Sequence, residues 1–580
     1  MVLLRCTYIL ANCLFLCFSS LLFIRGVAVS ATSAGLSASD GGLGSQDIAP
    51  VVLRDGVKRL GFDPFEEMMD AVATMQDRFF QIWVGQWSTT IDWTGAVMGT
   101  YLSACMTSML HIQHSLGDRI GGLNEVSRAG EIESSINRYF SQVISYYFGQ
   151  NAFDIRNEAY DDMLWVVLGW MESLKFMTTR SGYAAANDHM SSPSWWGNQF
   201  SPAFAHRAHI FYDLARSGWD ERLCGGGMNW NSRLEPYKNT ITNSLFITAS
   251  VNMYLYHPGD NNTAPYLLKE GEEEMKVIPP ARPHDRRYLE AAVTGYQWLK
   301  QVNMTNDIGL YVDGYHVRGW RWGQRTCNMR NEMVYTYNQA VLLSGLRGLW
   351  ESTGNTTYLK DAHELVRNVI VATGWSLETQ DCVETDSEHW RGLGSRGILT
   401  EACDPSGTCS QDGQTFKGIF FHHLAALCDP LPFHSHEATI PGKTYVADSE
   451  TASLHRRSCA SYVAWVARNA KAALGTKNQD GLFGMWWGGS TDYVDQWSAT
   501  IDDMFPRVRD TTPILHRQAS LQDPLFNQEA RTFSDFGRQD VNDRGRGRTI
   551  ETQGSGLMVV RALFELLRTY GDDLTSRPQV

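Results

Sequence analysis

A chain of 580 residues with 43% hydrophobic and 12% aromatic content can bury a large core and is too apolar to belong to the disordered class. Its 50 Lys and Arg stand against 63 Asp and Glu, a formal charge of −13, which excludes a partner held through its nucleic-acid backbone. The 19 tryptophans fit a large aromatic core and equally a cleft in which flat rings stack on sugar faces.

In chain order, Arg5 precedes an apolar run over 8–24 and the small residues Val27-Ala28-Val29-Ser30-Ala31. Residues 1–31 are read as a secretory signal, with an uncleaved anchor as the alternative because the run is long and Arg25 interrupts its end. Residues 32–62, rich in Gly, Ser and Ala at first, read as a flexible leader, and 63–575 as one domain. No second stretch is apolar enough to span a bilayer, and Thr575 to Val580 do not form the hydrophobic tail of a lipid anchor.

Helical periodicity begins after Pro64 and recurs over 65–76, 94–111, 132–147, 162–176, 202–216, 237–256, 287–302, 331–351, 358–373, 415–427, 449–474 and 554–570. Strand-like alternation is scarce. The pattern predicts an all-α domain of six helical hairpins in a ring, an (α/α)6 barrel, with inner helices buried and outer ones amphipathic. Loops over 217–236, 313–330 and 375–414 are expected to line its open end. Glu272 to Glu274 read as a solvated loop, and 505–549, with Arg544, Arg546 and Arg548, as a surface excursion with solvated arginines.

Cys6, Cys13 and Cys17 fall in the signal, and the other eight cysteines allow up to four disulfides in an oxidising compartment. Cys403 and Cys409 flank the turn-rich Asp404-Pro405-Ser406-Gly407-Thr408 and are predicted to pair; the rest stay open. Asn261, Asn303 and Asn355 begin glycosylation sequons. No Cys-x2-Cys pair points to zinc. His422-His423 and His434-x-His436 are assigned to loops or caps, so no metal or organic cofactor is expected.

The most informative stretch is Asn157-Glu158-Ala159-Tyr160-Asp161-Asp162-Met163-Leu164-Trp165, where an adjacent acidic pair opens a buried helix. Alone, the pair reads as a helix cap that also complements the macrodipole. Other stretches place aromatic rings beside amides, Lys or Gly: Cys224-Gly225-Gly226-Gly227-Met228-Asn229-Trp230, Tyr237-Lys238-Asn239 with Asn243, and Tyr335-Thr336-Tyr337-Asn338-Gln339. Rings that stack and amides that bond in pairs suit hydroxyl-rich ligands.

Taken in order with Ile91-Asp92-Trp93-Thr94-Gly95-Ala96-Val97-Met98-Gly99 and Phe416-Lys417-Gly418-Ile419-Phe420, these motifs resemble glycoside hydrolase family 76, the alpha-1,6-mannanases, and within it the fungal secreted or cell-wall branch. The resemblance spans roughly 65–570. It implies an (α/α)6 catalytic domain and a retaining endo-alpha-1,6-mannosidase, with Asp161 as nucleophile and Asp162 as general acid/base. Adjacency agrees with that chemistry, because retention needs carboxyls about 5–5.5 Å apart and inversion a wider gap for water. Expected substrate contacts are Asp92, Trp93, Trp165, Gly226, Gly227, Trp230, Lys238, Asn239, Asn243, Tyr337, Asn338, Gln339 and Lys417. The expected partner is alpha-mannan or a mannose-bearing glycan, met outside the cell or at the wall by a monomer with no stable membrane span. Alternatives are a wall transglycosidase using the same pair, a non-catalytic glycan-binding protein, and another helical-barrel sugar enzyme such as a lyase or epimerase. The missing anchor tail puts membrane-tethered wall remodelling in doubt.

Overall fold

Several helices of the domain start behind a capping side chain. In the computed structural model, α1 (Pro64–Phe79) begins behind Asp63, whose carboxylate accepts from the amides of Phe65 and Glu66, and Pro64 supplies a preset φ. The following helices are α2 (Asp92–Gly117), α3 (Leu123–Gly149), α4 (Tyr160–Asn187), α5 (Ser201–Arg216) and α6 (Thr240–Tyr256). Then come α7 (Arg286–Gln301), α8 (Val341–Thr353), α9 (Thr357–Val371), α10 (Gln411–Leu427), α11 (Ser449–Leu474) and α12 (Ile550–Thr575). The structure describes residues 60–117, 123–187, 195–263, 277–382, 390–489 and 540–575, all within one compact unit. The expected signal, the expected leader up to residue 59, the Glu272 to Glu274 run and most of 505–549 lie outside the described residues.

The even-numbered helices pack in sequence, α2 on α4, α4 on α6, α6 on α8, α8 on α10, α10 on α12 and α12 back on α2. That closes an inner ring of six, and the odd-numbered helices pack on its outside, as the hairpin pattern predicts. Inner helices are buried on every side: all residues of α6 from Thr240 to Leu255 are. Outer helices such as α7 and α9 bury one stripe. Small residues let neighbours in the ring touch: a Cβ on Gly418 of α10 would lie 2.7 Å from the backbone of Ser555 in α12, and one on Gly345 of α8 would lie 2.4 Å from the Thr248 hydroxyl of α6. Trp87, Trp350, Trp465 and Trp487 are fully buried, so much of the tryptophan content is core. Each such large apolar side chain contributes on the order of 2 kcal/mol by burial.

Because successive helices reverse direction, the inner six run the same way and their N-termini gather at one end. There a small antiparallel sheet joins Tyr237–Asn239, Gly314–His316 and Met329–Asn331, with Lys238 opposite Tyr315 and Tyr315 opposite Arg330. Two expected helix starts are corrected by this sheet. Residues 237–239 are strand, and α8 begins only at Val341, behind a single turn at Tyr337–Gln339. Glu401 accepts from the amide of Thr336 at 2.9 Å, and the carbonyls of Tyr335 and Tyr311 accept from Gln339, so this stretch is bonded to loops rather than to a helical turn.

Three disulfides are present among the described residues: Cys403–Cys409, Cys224–Cys327 and Cys428–Cys459. Cys224–Cys327 ties together two of the rim loops. Cys105 is free and buried within the core, and Cys382 is free and half-buried. His422 and His423 belong to neither loops nor caps: they are buried on α10, beside a narrow polar cavity that Tyr101, Glu172, Lys175 and Asn252 also line. His434 does cap a short turn. The arginines of 544–548 are not simply solvated. Arg548 is buried against the carbonyls of Thr476 and Leu482 and paired with Asp540 and Asp543, and Arg544 donates to the Pro405 carbonyl at 2.8 Å.

Candidate active site

Four of the six gathered helix starts carry acidic first turns: Asp92 on α2, Asp161 and Asp162 on α4, Asp412 on α10 and Glu551 on α12. Each carboxylate complements the positive end of its helix. Behind the effect of burial, the charge of Asp412 raises the proton affinity of Asp161 and Asp162 from across the opening. The 313–330 loop adds Asp313, which accepts from Tyr237 Oη and, at 3.3 Å, from Asn338 Nδ2.

Asp161 and Asp162 are both buried, at 9% and 6% exposure, so their carboxyls have lost most of their water. The indole Nε1 of Trp230 donates to Asp161 Oδ2 at 3.0 Å, while Asp161 Oδ1 has no hydrogen-bond partner. Asp162 turns back along the helix, its Oδ2 accepting from the Ala159 amide at 3.0 Å, the reverse half of a capping box. Burial pushes Asp161 up to about 7, against the downward pull of the backbone amides and the Trp230 indole. Burial, and then the charges of Asp161 and Glu158, hold Asp162 well above the usual carboxylate range. The arrangement therefore favours a protonated Asp162 beside an Asp161 that loses its proton first.

Trp230 is held by its backbone, which accepts from the Tyr160 amide at 2.9 Å and donates to the Tyr237 carbonyl at 2.8 Å. The glycines before it serve that loop: Gly227 has φ 85° and a Cβ there would lie 2.4 Å from the Trp298 ring, and Gly226, at φ 138°, meets the same ring. Lys238, fully buried, donates to the carbonyls of Asp220 and Gly227, at 3.0 Å to the first, and Asn243 clamps Met228 through both its amide and carbonyl. Asn239 caps α6 by accepting from the Thr242 amide.

Trp93 stacks on Trp165 with ring centroids 5.5 Å apart and donates from Nε1 to Asp412 at 2.9 Å. Tyr337 lies flat on Phe416 at 3.8 Å. Gln339 brackets the Tyr311 peptide, accepting from its amide at 2.8 Å and donating to its carbonyl at 2.8 Å. Lys417 is buried beneath the site, paired with Asp404 and bonded to the Met485 carbonyl. Of the expected contacts, Asp92, Trp93, Trp165, Trp230, Tyr337 and Asn338 therefore gather around the acidic pair. Gly226, Gly227, Lys238, Asn243, Gln339 and Lys417 brace the loops that hold them.

Asp412, Glu551 and Glu158 were missed by motif reasoning. The signal available for the first two was position, an acidic residue in the first turn of an inner helix, the same signal that marks Asp161 and Asp162. The sequon residues Asn261, Asn303 and Asn355 are all exposed. Among the described residues, the clusters with metal-ligating side chains are His363, His455 and Cys459, and Cys403, Asp404 and Cys409; every cysteine in them is in a disulfide. No helix of the described residues is long and apolar enough to cross a membrane.

Mannan endo-1,6-alpha-mannosidase DFG5 of Saccharomyces cerevisiae is 24% identical over 239 residues, 40% of this chain and 41% of that protein. Mannan endo-1,6-alpha-mannosidase DCW1 of the same yeast is 22% identical over 239 residues, again 40% and 41%. The match thus spans about two fifths of the length of these relatives. Among solved structures, an inactive variant of the alpha-1,6-mannanase GH76A of Salegentibacter sp. HEL1_6, in complex with alpha-1,6-mannotetrose, is 16% identical with a TM-score of 0.47, covering 87% of this chain and 99% of that one. The family described as Glycosyl hydrolase family 76 matches residues 67–269 and 282–500, most of the sequence. The chain belongs to glycosyl hydrolase family 76.

Proposed function

We propose that this protein is a retaining endo-alpha-1,6-mannosidase that cleaves alpha-1,6-mannan backbones, with Asp161 as nucleophile and Asp162 as general acid/base. The observation that carries the reading is the unequal setting of two adjacent buried carboxyls: Asp161 with a donor on one oxygen and the other unpartnered, Asp162 held toward its protonated form. In the first step Asp161 Oδ1 attacks the anomeric carbon while Asp162 gives its proton to the leaving glycosidic oxygen. In the second, Asp162 takes a proton from water as that water opens the mannosyl ester, and the original configuration returns.

Trp230, half-buried beside Asp161, is the aromatic side chain of this set on which a mannose ring would stack. The mannan endo-1,6-alpha-mannosidase activity of the yeast relatives supports the substrate class, and the disulfides and exposed sequons support an extracellular site of action. Hydrolysis of linear alpha-1,6-mannan by the wild type, Asp161→Asn and Asp162→Asn tests the reading. Release of alpha-anomeric oligosaccharides that is lost in both variants is expected. Full activity in either variant would return the pair to helix capping. Transfer to an added glycan without hydrolysis would move the activity to a transglycosidase, and neither activity to a binding protein.

A further inference from the structure

The 313–330 loop carries a positive charge that the proposed reaction does not use. From Arg318 to Arg330 the sequence has four arginines and no acidic residue, in a chain whose formal charge is −13. Arg318, Arg321 and Arg325 are exposed. Among the described residues neither Arg318 nor Arg325 is paired with a carboxylate, and Arg321 meets Glu235 only at 3.9 Å, with both side chains mostly in solvent. A pair that exposed holds its partner weakly, so all three guanidiniums are open to a ligand. Between them stands Trp322, at 90% exposure the most solvent-facing large apolar side chain among the described residues.

The turn that presents these groups is firmly braced. Trp320–Trp322 form one short helical turn between Gly319 and Gly323, whose φ of 86° and 93° are left-handed conformations that suit glycine. Its base is tied by the Cys224–Cys327 disulfide and by the Cys224 amide, which donates to the Arg325 carbonyl at 2.7 Å. Asn328 brackets Arg318, accepting from its amide at 2.8 Å and donating to its carbonyl at 3.0 Å. The Arg321 guanidinium lies over the Trp320 ring, 5.5 Å from its centroid, while Trp322 stays in solvent.

The same loop leads to the acidic pair. Its strand, Gly314–His316, pairs with Tyr237–Asn239; the Tyr237 carbonyl accepts from the Trp230 amide at 2.8 Å, and Trp230 donates to Asp161. We propose, resting on the reading above, that the Arg318–Arg325 turn is an accessory glycan site at the rim of the opening. A sugar ring stacks on Trp322, and an anionic substituent of that chain, a phosphate or a carboxylate, is held by Arg318, Arg321 and Arg325. The guanidinium fork matches the paired oxygens of either group. A neutral chain would use the ring alone, and the three cations beside it add a demand for negative charge. The connection to the catalytic opening favours a glycan over a lipid surface.

The experiment measures binding to Asp161→Asn, which leaves the substrate uncleaved, by titration calorimetry. The probes are linear alpha-1,6-mannan oligosaccharides of one length: neutral, phosphorylated on the terminal residue, and carboxylated there. A charged chain is expected to bind roughly tenfold tighter than the neutral one at low salt, and whichever gains names the group. That preference is expected to vanish at high salt and when Arg318→Gln, Arg321→Gln and Arg325→Gln are combined, with neutral-chain affinity unchanged. Trp322→Ala is expected to weaken every chain several-fold. Equal affinity for charged and neutral chains, or a preference that survives the combined substitution, overturns the proposal. So does binding to vesicles of phosphatidylserine and phosphatidylcholine without a preference among the glycans, which would assign the turn to a lipid surface. Cleavage of the neutral chain by the wild type with no charge preference removes this proposal and leaves the functional reading. Arginine-dependent binding of a charged chain, with no chain cleaved, does the reverse.

Discussion

Replacing Trp230 by Phe keeps a ring beside the acidic pair and removes one donor. In the wild type the indole donates to Asp161 Oδ2 at 3.0 Å in a buried setting, and this bond favours the ionised carboxylate. A hydrogen bond to a charged group is worth about 1.5–3 kcal/mol, and 1.36 kcal/mol is one pKa unit, so its loss should raise Asp161 by about one to two units. Burial already places Asp161 at about 7. The acid limb of kcat/KM, which reports the nucleophile in the free enzyme, should therefore move to about pH 8–9, with a ten- to hundredfold loss at about pH 6 that shrinks as pH rises. The assay is hydrolysis of an alpha-1,6-mannan oligosaccharide from about pH 5 to about pH 9. A uniform loss with the limb in place would show that Trp230 only packs or stacks, and would refute the argument that it sets the charge of Asp161.

Asp161→Asn should be more stable than the wild type at about pH 8, by on the order of 4 kcal/mol, with the gap narrowing toward about pH 5. The folded-state proton affinity of Asp161 is raised from 3.8 to about 7, so its contribution is complete below about pH 4 and is lost as pH rises through 7; denaturant unfolding at the two pH values checks it. Gly227→Ala adds a Cβ that would lie 2.4 Å from the Trp298 ring at a φ of 85°, and should cost about 2–4 kcal/mol in thermal unfolding while displacing Trp230 and lowering activity. Lys417→Met leaves Asp404 buried without its partner, and a loss of about 3–5 kcal/mol is expected from the same measurement. A change below about 1 kcal/mol in either of the last two would contradict the packing described.

The ring of helices was legible because its inner members carry apolar and small residues around the whole helix with few charges, as in α6 and α10, and no strand pattern reads that way. The acidic pair stood out only through the ordered motifs around it, since alone it reads as a helix cap, and what the structure adds is its burial at the start of α4. The beginning of α8 was not legible. Tyr335 to Gln339 have the spacing of a helix, but Glu401 and Tyr311, far away in sequence, capture their polar groups. Lys238, Asn243, Gln339 and Lys417 show the same effect: their residue types suit a sugar, and their bonds go to backbone carbonyls, loop amides or a buried carboxylate. A sequence gives side-chain chemistry without saying which partner is in reach. Glu158 and Asp412 stayed hidden for the converse reason, since each resembles ordinary helix-end acidity until the ring brings them to the same opening.

The central claim is that Asp161 forms the bond to mannose. A slow mannosyl donor with an activated leaving group should trap the intermediate, and peptide mapping by mass spectrometry then locates it. One mannosyl ester is expected, on Asp161, in the wild type and none in Asp161→Asn. An ester on Asp162, or no ester together with first-formed beta-anomeric product, would contradict it.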